Sequence, residues 1–127
     1  MSDEELAAYA KRLRGLKGFA AQAAKEAAPR VERVVKATAA AGTDPEGKAW
    51  PLKRDGGRAL PNAADAISVT ARGAIVIVRL VGAYVYHNRA KGSALRRILP
   101  DSAASIPINI RDEIRAAMKD VFERMMK

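Results

Sequence analysis

His87 is the only histidine of this 127-residue chain and there is no cysteine, so one imidazole is all that the chain offers for metal ligation or nucleophilic chemistry of the thiolate and imidazole kinds. A proton relay through a second imidazole is excluded. No serine stands in a G-x-S-x-G elbow, no Gly-rich phosphate loop leads into a helix, and Asp55, Gly56 and Gly57 read as a turn. The carboxylates are spread over helix ends and loops, so a paired-carboxylate hydrolase has no local pattern behind it. The chain reads as a protein with no enzymatic activity, no cofactor and no metal.

What the chain does carry is positive charge. Lysine and arginine outnumber the acids 23 to 14, a net charge of +9, which draws polyanions and repels further copies of the same charge. Residues 82–100 hold Arg89, Lys91, Arg96 and Arg97 with no acid among them, whereas residues 101–127 balance five bases against five acids. The second pattern is that of a solvated helix face. For the first there are two readings: a surface that meets phosphate without reading sequence and weakens with salt, or a solvated loop whose charges pair with a neighbouring subunit. Aromatic residues are 5% of the chain, too few for base stacking to drive single-strand recognition.

Trp50 is the only tryptophan, and it falls in the Gly-, Pro- and charge-rich stretch GTDPEGKAWPLKRDGGR. So large an apolar surface is normally placed in a core or an interface, so this loop is expected to be pinned to something. Leu52 follows two residues later, and in extended chain the two side chains share a face. They form a clasp, either on their own domain or on the next subunit. Tyr84, Tyr86 and His87 read as a packed aromatic corner with a satisfied histidine.

The elements that must position these residues follow from periodicity. Ser2 and Glu5 make a capping box, and Leu6, Tyr9, Ala10, Leu13, Leu16 and Ala20 recur at helical spacing. Gly15 and Gly18 each weaken such a helix by about 1 kcal/mol or permit a bend. Pro29 is expected to break or kink it, with VERVVKATAAA as a second helical piece ending at Gly42. Residues 42–64 read as a long irregular connection punctuated by Pro45, Gly47, Pro51, Gly56, Gly57 and Pro61. AISVTAR and AIVIVRLV, separated by Gly73, are the two strands of a hairpin.

In the first strand Ile67, Val69 and Ala71 oppose Ser68, Thr70 and Arg72. The second is apolar on both faces, with Ile75 and Ile77 opposite Val76, Val78 and Leu80, so a neighbouring subunit or a second helix is expected to cover the outer face. YVYHNRAK reads as a short helix or turn and RRILPDSAASIP as an extended segment. Asn109 is the expected cap of a last helix, with Asp112 and Glu113 in its first turn and Ile110, Ile114, Met118, Val121 and Met125 as its stripe. The apolar run AIVIVRLVGAYVY is broken by Arg79 and falls short of the ~20 residues of a bilayer span. MSDEELAAYA lacks a hydrophobic signal core, so a cytoplasmic product is expected.

The fold class is therefore α+β over a single domain, 1–127: a helical N-terminal region (1–41), a Trp-bearing loop (42–64), a β-rich region with a small antiparallel sheet built on a hairpin (65–107), and a C-terminal helix (108–127).

In order and spacing, DPEGKAWPL with Gly47, Trp50 and Leu52, the strand pair ISVTARGAIVIV, YVYHNRAKG with Tyr84, His87 and Gly92, RRILP with Pro100, and the helix from Asn109 resemble the phage virion morphogenesis family, also called tail completion proteins. The similarity runs from residue 44 onward. Two departures stand out: Asn88, Arg89, Ala90 and Lys91 intervene between the histidine and Gly92, and the leucine lies closer to Trp50 than is usual in the family.

The resemblance implies a structural virion protein of the neck or tail end, completing the tail or joining it to the head. It further implies a homo-oligomeric ring, with a hexamer favoured, and contacts with other phage neck, connector or tail proteins. Duplex DNA would pass without sequence recognition, past Arg89, Lys91, Arg96 and Arg97. Trp50, Leu52, Ile75 and Ile77 are the expected subunit interface, and the virion, with the host cytoplasm during assembly, the expected location. The competing expectation is a small basic, non-sequence-specific DNA-binding accessory protein.

Overall fold

The computed structural model describes residues 2–82, 84–89, 95–100 and 106–127. Its first helix, α1 (Asp3–Gly15), starts where the capping box requires: the Ser2 hydroxyl accepts from the Glu5 amide at 3.1 Å and the Glu5 carboxylate accepts from the Ser2 amide at 2.9 Å. The helical pattern does not run on through Gly15. Gly18 sits at φ +84°, a backbone state open to glycine and costly for other residues, and it turns the chain into α2 (Phe19–Ala40). None of the residues of α1 is buried.

α2 is the spine of the fold, and it corrects the expectation of a break at Pro29. The helix is continuous through the proline, which is exposed, so the carbonyl freed at Lys25 lies on the solvent side. Ala24, Ala27, Ala28, Val31, Val35 and Ala39 form the buried stripe that outweighs the missing donor. Small residues in its N-terminal half permit close approach of a second helix. That helix, α4 (Ile108–Met125), runs antiparallel to α2, with Ala117 and Val121 at 0% and 1% exposure. Phe19 at the start of α2 meets Phe122 near the end of α4 edge to face, with ring centroids 6.2 Å apart. Arg30 spans the same pair of helices, donating to Glu26 at 3.1 Å and to Asp120 at 2.7 Å, and Arg124 reaches Glu26 at 3.4 Å.

The cap of α4 differs from the expected one. Pro107 occupies the capping position, Asn109 lies inside the first turn with its Oδ1 accepting from the next amide at 2.9 Å, and Asp112 and Glu113 fall beyond that turn. Proline is well suited to a helix start because its missing N–H has no partner to lose there.

β1 (Ile67–Arg72) and β2 (Ile75–Leu80) form a two-stranded antiparallel sheet joined by Gly73 and Ala74, preceded by a 3₁₀ turn at Ala63–Ala66. The register pairs Ser68 with Arg79, Thr70 with Ile77 and Arg72 with Ile75 on one face, and Ile67 with Leu80, Val69 with Val78 and Ala71 with Val76 on the other. The second set packs on α2, as strand parity demands. A short helix, α3 (Tyr84–Arg89), follows inside the stretch expected to be β-rich. Among the described residues no helix is long and apolar enough to cross a membrane.

Candidate functional site

Trp50 reaches the core through a closed turn. The Asp44 carboxylate accepts from the Glu46 and Lys48 amides at 3.0 and 2.8 Å, Thr43 bridges Ala49, and the Trp50 amide donates to the Gly42 carbonyl at 2.9 Å. Gly47, at φ +90°, is the residue of the turn where a Cβ would be strained. The indole is 7% exposed among Val35, Ile67 and Ile98, and its Nε1–H donates to the Arg97 carbonyl at 2.8 Å. Trp50 is thus a clasp on its own domain, and the expectation that it anchors a neighbouring subunit is corrected: its surface is already consumed inside the chain. Leu52 does not accompany it. Residues 50–53 are irregular rather than strand, so the two-residue period does not apply, and Leu52 is 62% exposed.

The acid-free segment is also distributed differently from its sequence pattern. Arg96 is 8% exposed; its guanidinium donates to the carbonyls of Leu95 at 3.1 Å and Leu52 at 3.4 Å, and its backbone amide donates to the His87 carbonyl at 2.9 Å. The expectation that Arg96 faces DNA is corrected, because its guanidinium is enclosed and bonded to the Leu52 carbonyl of the Trp50 loop while its backbone amide holds α3, instead of meeting phosphate. Arg97 is partly exposed, with Glu46 3.9 Å away. The Arg89 side chain, Lys91 and Gly92 lie outside the described residues. Tyr84 packs against the core, His87 is half-buried, and Pro100 lines an apolar pocket of about 360 Å³ between α2, β2 and α4.

Asn88, which carried no expectation beyond its place in the segment, holds this region together. Its Oδ1 accepts from the Ile98 amide at 2.7 Å and from the Leu99 amide at 2.9 Å, so one side chain satisfies two backbone donors of the segment that carries Ile98 into the core. No local signal in YVYHNRAKG points ten residues ahead.

One surface left open among the described residues is the outer face of the hairpin: Ser68, Thr70, Arg72, Ile75, Ile77 and Arg79. Ile75 is 64% exposed, and no carboxylate shares the face. Ile75 and Ile77 are brought together as expected, but Trp50 belongs to the opposite, core side. Arg72 and Arg79 were legible as members of this face from strand alternation together with the two-residue turn, since each is an even number of residues from its same-face neighbours on its own strand. Between Asp65 and Asp101 every charged residue is basic.

Pairing shifts two titrating groups among the described residues. The Arg124 guanidinium, hydrogen-bonded to Glu26, and then Arg30 hold the Glu26 carboxyl below its ordinary value of 4.5. Arg30 is held above its ordinary range, first by its hydrogen bond to Asp120. Both belong to the α2–α4 contact rather than to a reaction centre. Among the described residues no group of three histidine, aspartate or glutamate side chains could hold a metal ion. No family model, curated protein or solved structure matches the chain.

Proposed function

We propose that this chain is a structural protein of a bacteriophage virion that acts at the neck or tail end, completing the tail or joining it to the head, as a ring around the DNA path with a hexamer favoured. The observation that carries the proposal is the outer hairpin face, where exposed Ile75 and half-buried Ile77 are framed by Arg72 and Arg79 with no acid beside them. Unpartnered isoleucine on a sheet face fits a subunit contact, and a heterologous contact of that kind closes into a ring when its rotation permits. The ordered motifs from Gly47 to the last helix support the same role. A ring wall that passes DNA needs many weak, screened contacts rather than a few tight ones, and a net charge of +9 with scattered arginines suits that requirement.

One feature favours the competing role of a basic DNA-binding accessory protein: Arg72 and Arg79 share one face of a two-stranded ribbon, a shape that fits a major groove. The deciding measurement is the mass of the protein in solution over a concentration series, at low and high salt, with and without duplex DNA. A discrete ring-sized oligomer that Ile75→Lys abolishes, with weak salt-screened DNA binding, supports the virion role. A particle no larger than a dimer that binds duplex tightly overturns it in favour of the accessory protein.

A further inference from the structure

The sheet ends at β2, and the register fixes which backbone groups that edge presents. Arg72 and Ile75 close the hairpin across its two-residue connection, so they form a hydrogen-bonded pair, as do Thr70 with Ile77 and Ser68 with Arg79. The amides and carbonyls of Val76, Val78 and Leu80 therefore point away from β1, and among the described residues none of them has a hydrogen-bond partner. The strand lacks the usual guards of an open edge. Six consecutive pairs leave no bulge, there is no proline, and Arg79 is its only charge.

Two further features say what the edge takes. The apolar pocket of about 360 Å³ lies on the core side of the same strand: Val76 and Val78 line it with Val31, Val35, Ile110 and Ile114, and no residue of β1 does. A strand added beside β2 sets every second side chain next to Val76 and Val78, over that pocket. Its alternate side chains fall on the outer face beside Arg79, which is exposed and has no carboxylate partner among the described residues.

We infer that the free edge of β2 is a docking site for an extended segment of a partner protein, added as a third, antiparallel strand whose inward residues are apolar and whose outward residue opposite Arg79 is acidic. Backbone pairing supplies affinity, and the pocket together with Arg79 supplies selection. Antiparallel addition gives the more stable ladder. A second copy's β2 meets the backbone requirement but not the charge: its outward residues are Ile75, Ile77 and Arg79, it carries no acid, and each chain brings a net charge of +9. β1 supplies no acid either. Edge docking uses the backbone and the core side of β2, so it does not depend on ring closure through the outer face.

The test titrates the isotope-labelled full-length protein with the synthetic peptide Thr-Val-Glu-Val-Thr-Val-Thr, whose glutamate lies opposite Arg79 when its middle valine lies opposite Val78. The expected result is saturable binding with slowed amide hydrogen exchange at Val76, Val78 and Leu80. N-methylation of the three valines removes the donors that face β2 and should abolish binding, whereas N-methylation of the glutamate and the central threonine, whose donors face away, should leave it intact. Arg79→Glu should weaken binding roughly fivefold, with recovery when the peptide carries lysine in place of glutamate. Serine in place of the valines should weaken it at least about tenfold. Arg79 is exposed and every other change is in the peptide, so each comparison is made on a folded chain. No saturable binding, binding that leaves the three amides unprotected, equal loss from either methylation pattern, indifference to the charge swap or to serine, or the same protection appearing with protein concentration alone would each overturn the inference.

Discussion

Replacing Trp50 by alanine tests whether the loop that carries it is a structural clasp. The indole is 93% removed from solvent by its 7% exposure, and a buried aromatic of this size removes about 200 Å² from water. Truncation to a methyl forfeits about 150 Å² of that, worth about 4 kcal/mol at ~25 cal/mol/Å². Loss of the indole donor to the Arg97 carbonyl adds about 1 kcal/mol. The sum, about 5 kcal/mol, compares with the 5–15 kcal/mol that stabilises a typical domain, so the variant should be close to unfolded at room temperature. Trp50→Phe keeps most of the ring and loses the donor, and should cost about 2 kcal/mol. Urea unfolding must be followed by far-UV circular dichroism, because Trp50 is the only tryptophan and its fluorescence disappears with it. An alanine variant within about 1 kcal/mol of the parent would refute the clasp and return Trp50 to the role of an intersubunit anchor.

Asn88→Ala should cost about 2 kcal/mol, because the Ile98 and Leu99 amides lose their shared acceptor, whereas Asn88→Asp should retain most of the stability; equal urea midpoints for the two variants would sink the assignment. Arg72→Ala with Arg79→Ala should leave stability within about 0.5 kcal/mol yet reduce the slope of log affinity for duplex DNA against log salt by about 2, and an unchanged slope would remove this face from the DNA contact. Glu26 is held below its ordinary 4.5 in the folded state, so its contribution is complete above that value and is lost as pH falls through the depressed one. Glu26→Gln should therefore lower the thermal midpoint near pH 7 and flatten its fall toward pH 3; parallel curves for variant and parent would contradict this.

Local signals in the sequence specified much of this protein. The capping box of α1, the two-residue hairpin connection after Arg72, the parity of both strands and the apolar stripe of the last helix depend on neighbours within a few residues, and the backbone obeys them where nothing distant competes. The outer hairpin face was legible for the same reason, since alternation within each strand and the two-residue turn between them place Ile75, Ile77, Arg72 and Arg79 together. The tertiary structure decided what depends on distant partners. Pro29 stays within α2 because a buried stripe on both sides of it outweighs one missing hydrogen bond. Trp50 points inward because the Arg97 carbonyl, 47 residues away, and a core drawn from α2 and β1 complete its surroundings. Arg96 is enclosed rather than presented to phosphate because carbonyls of the Trp50 loop and of its own neighbour accept its protons. Composition records that a charge exists; only the packing of remote segments determines whether solvent, backbone or another molecule receives it.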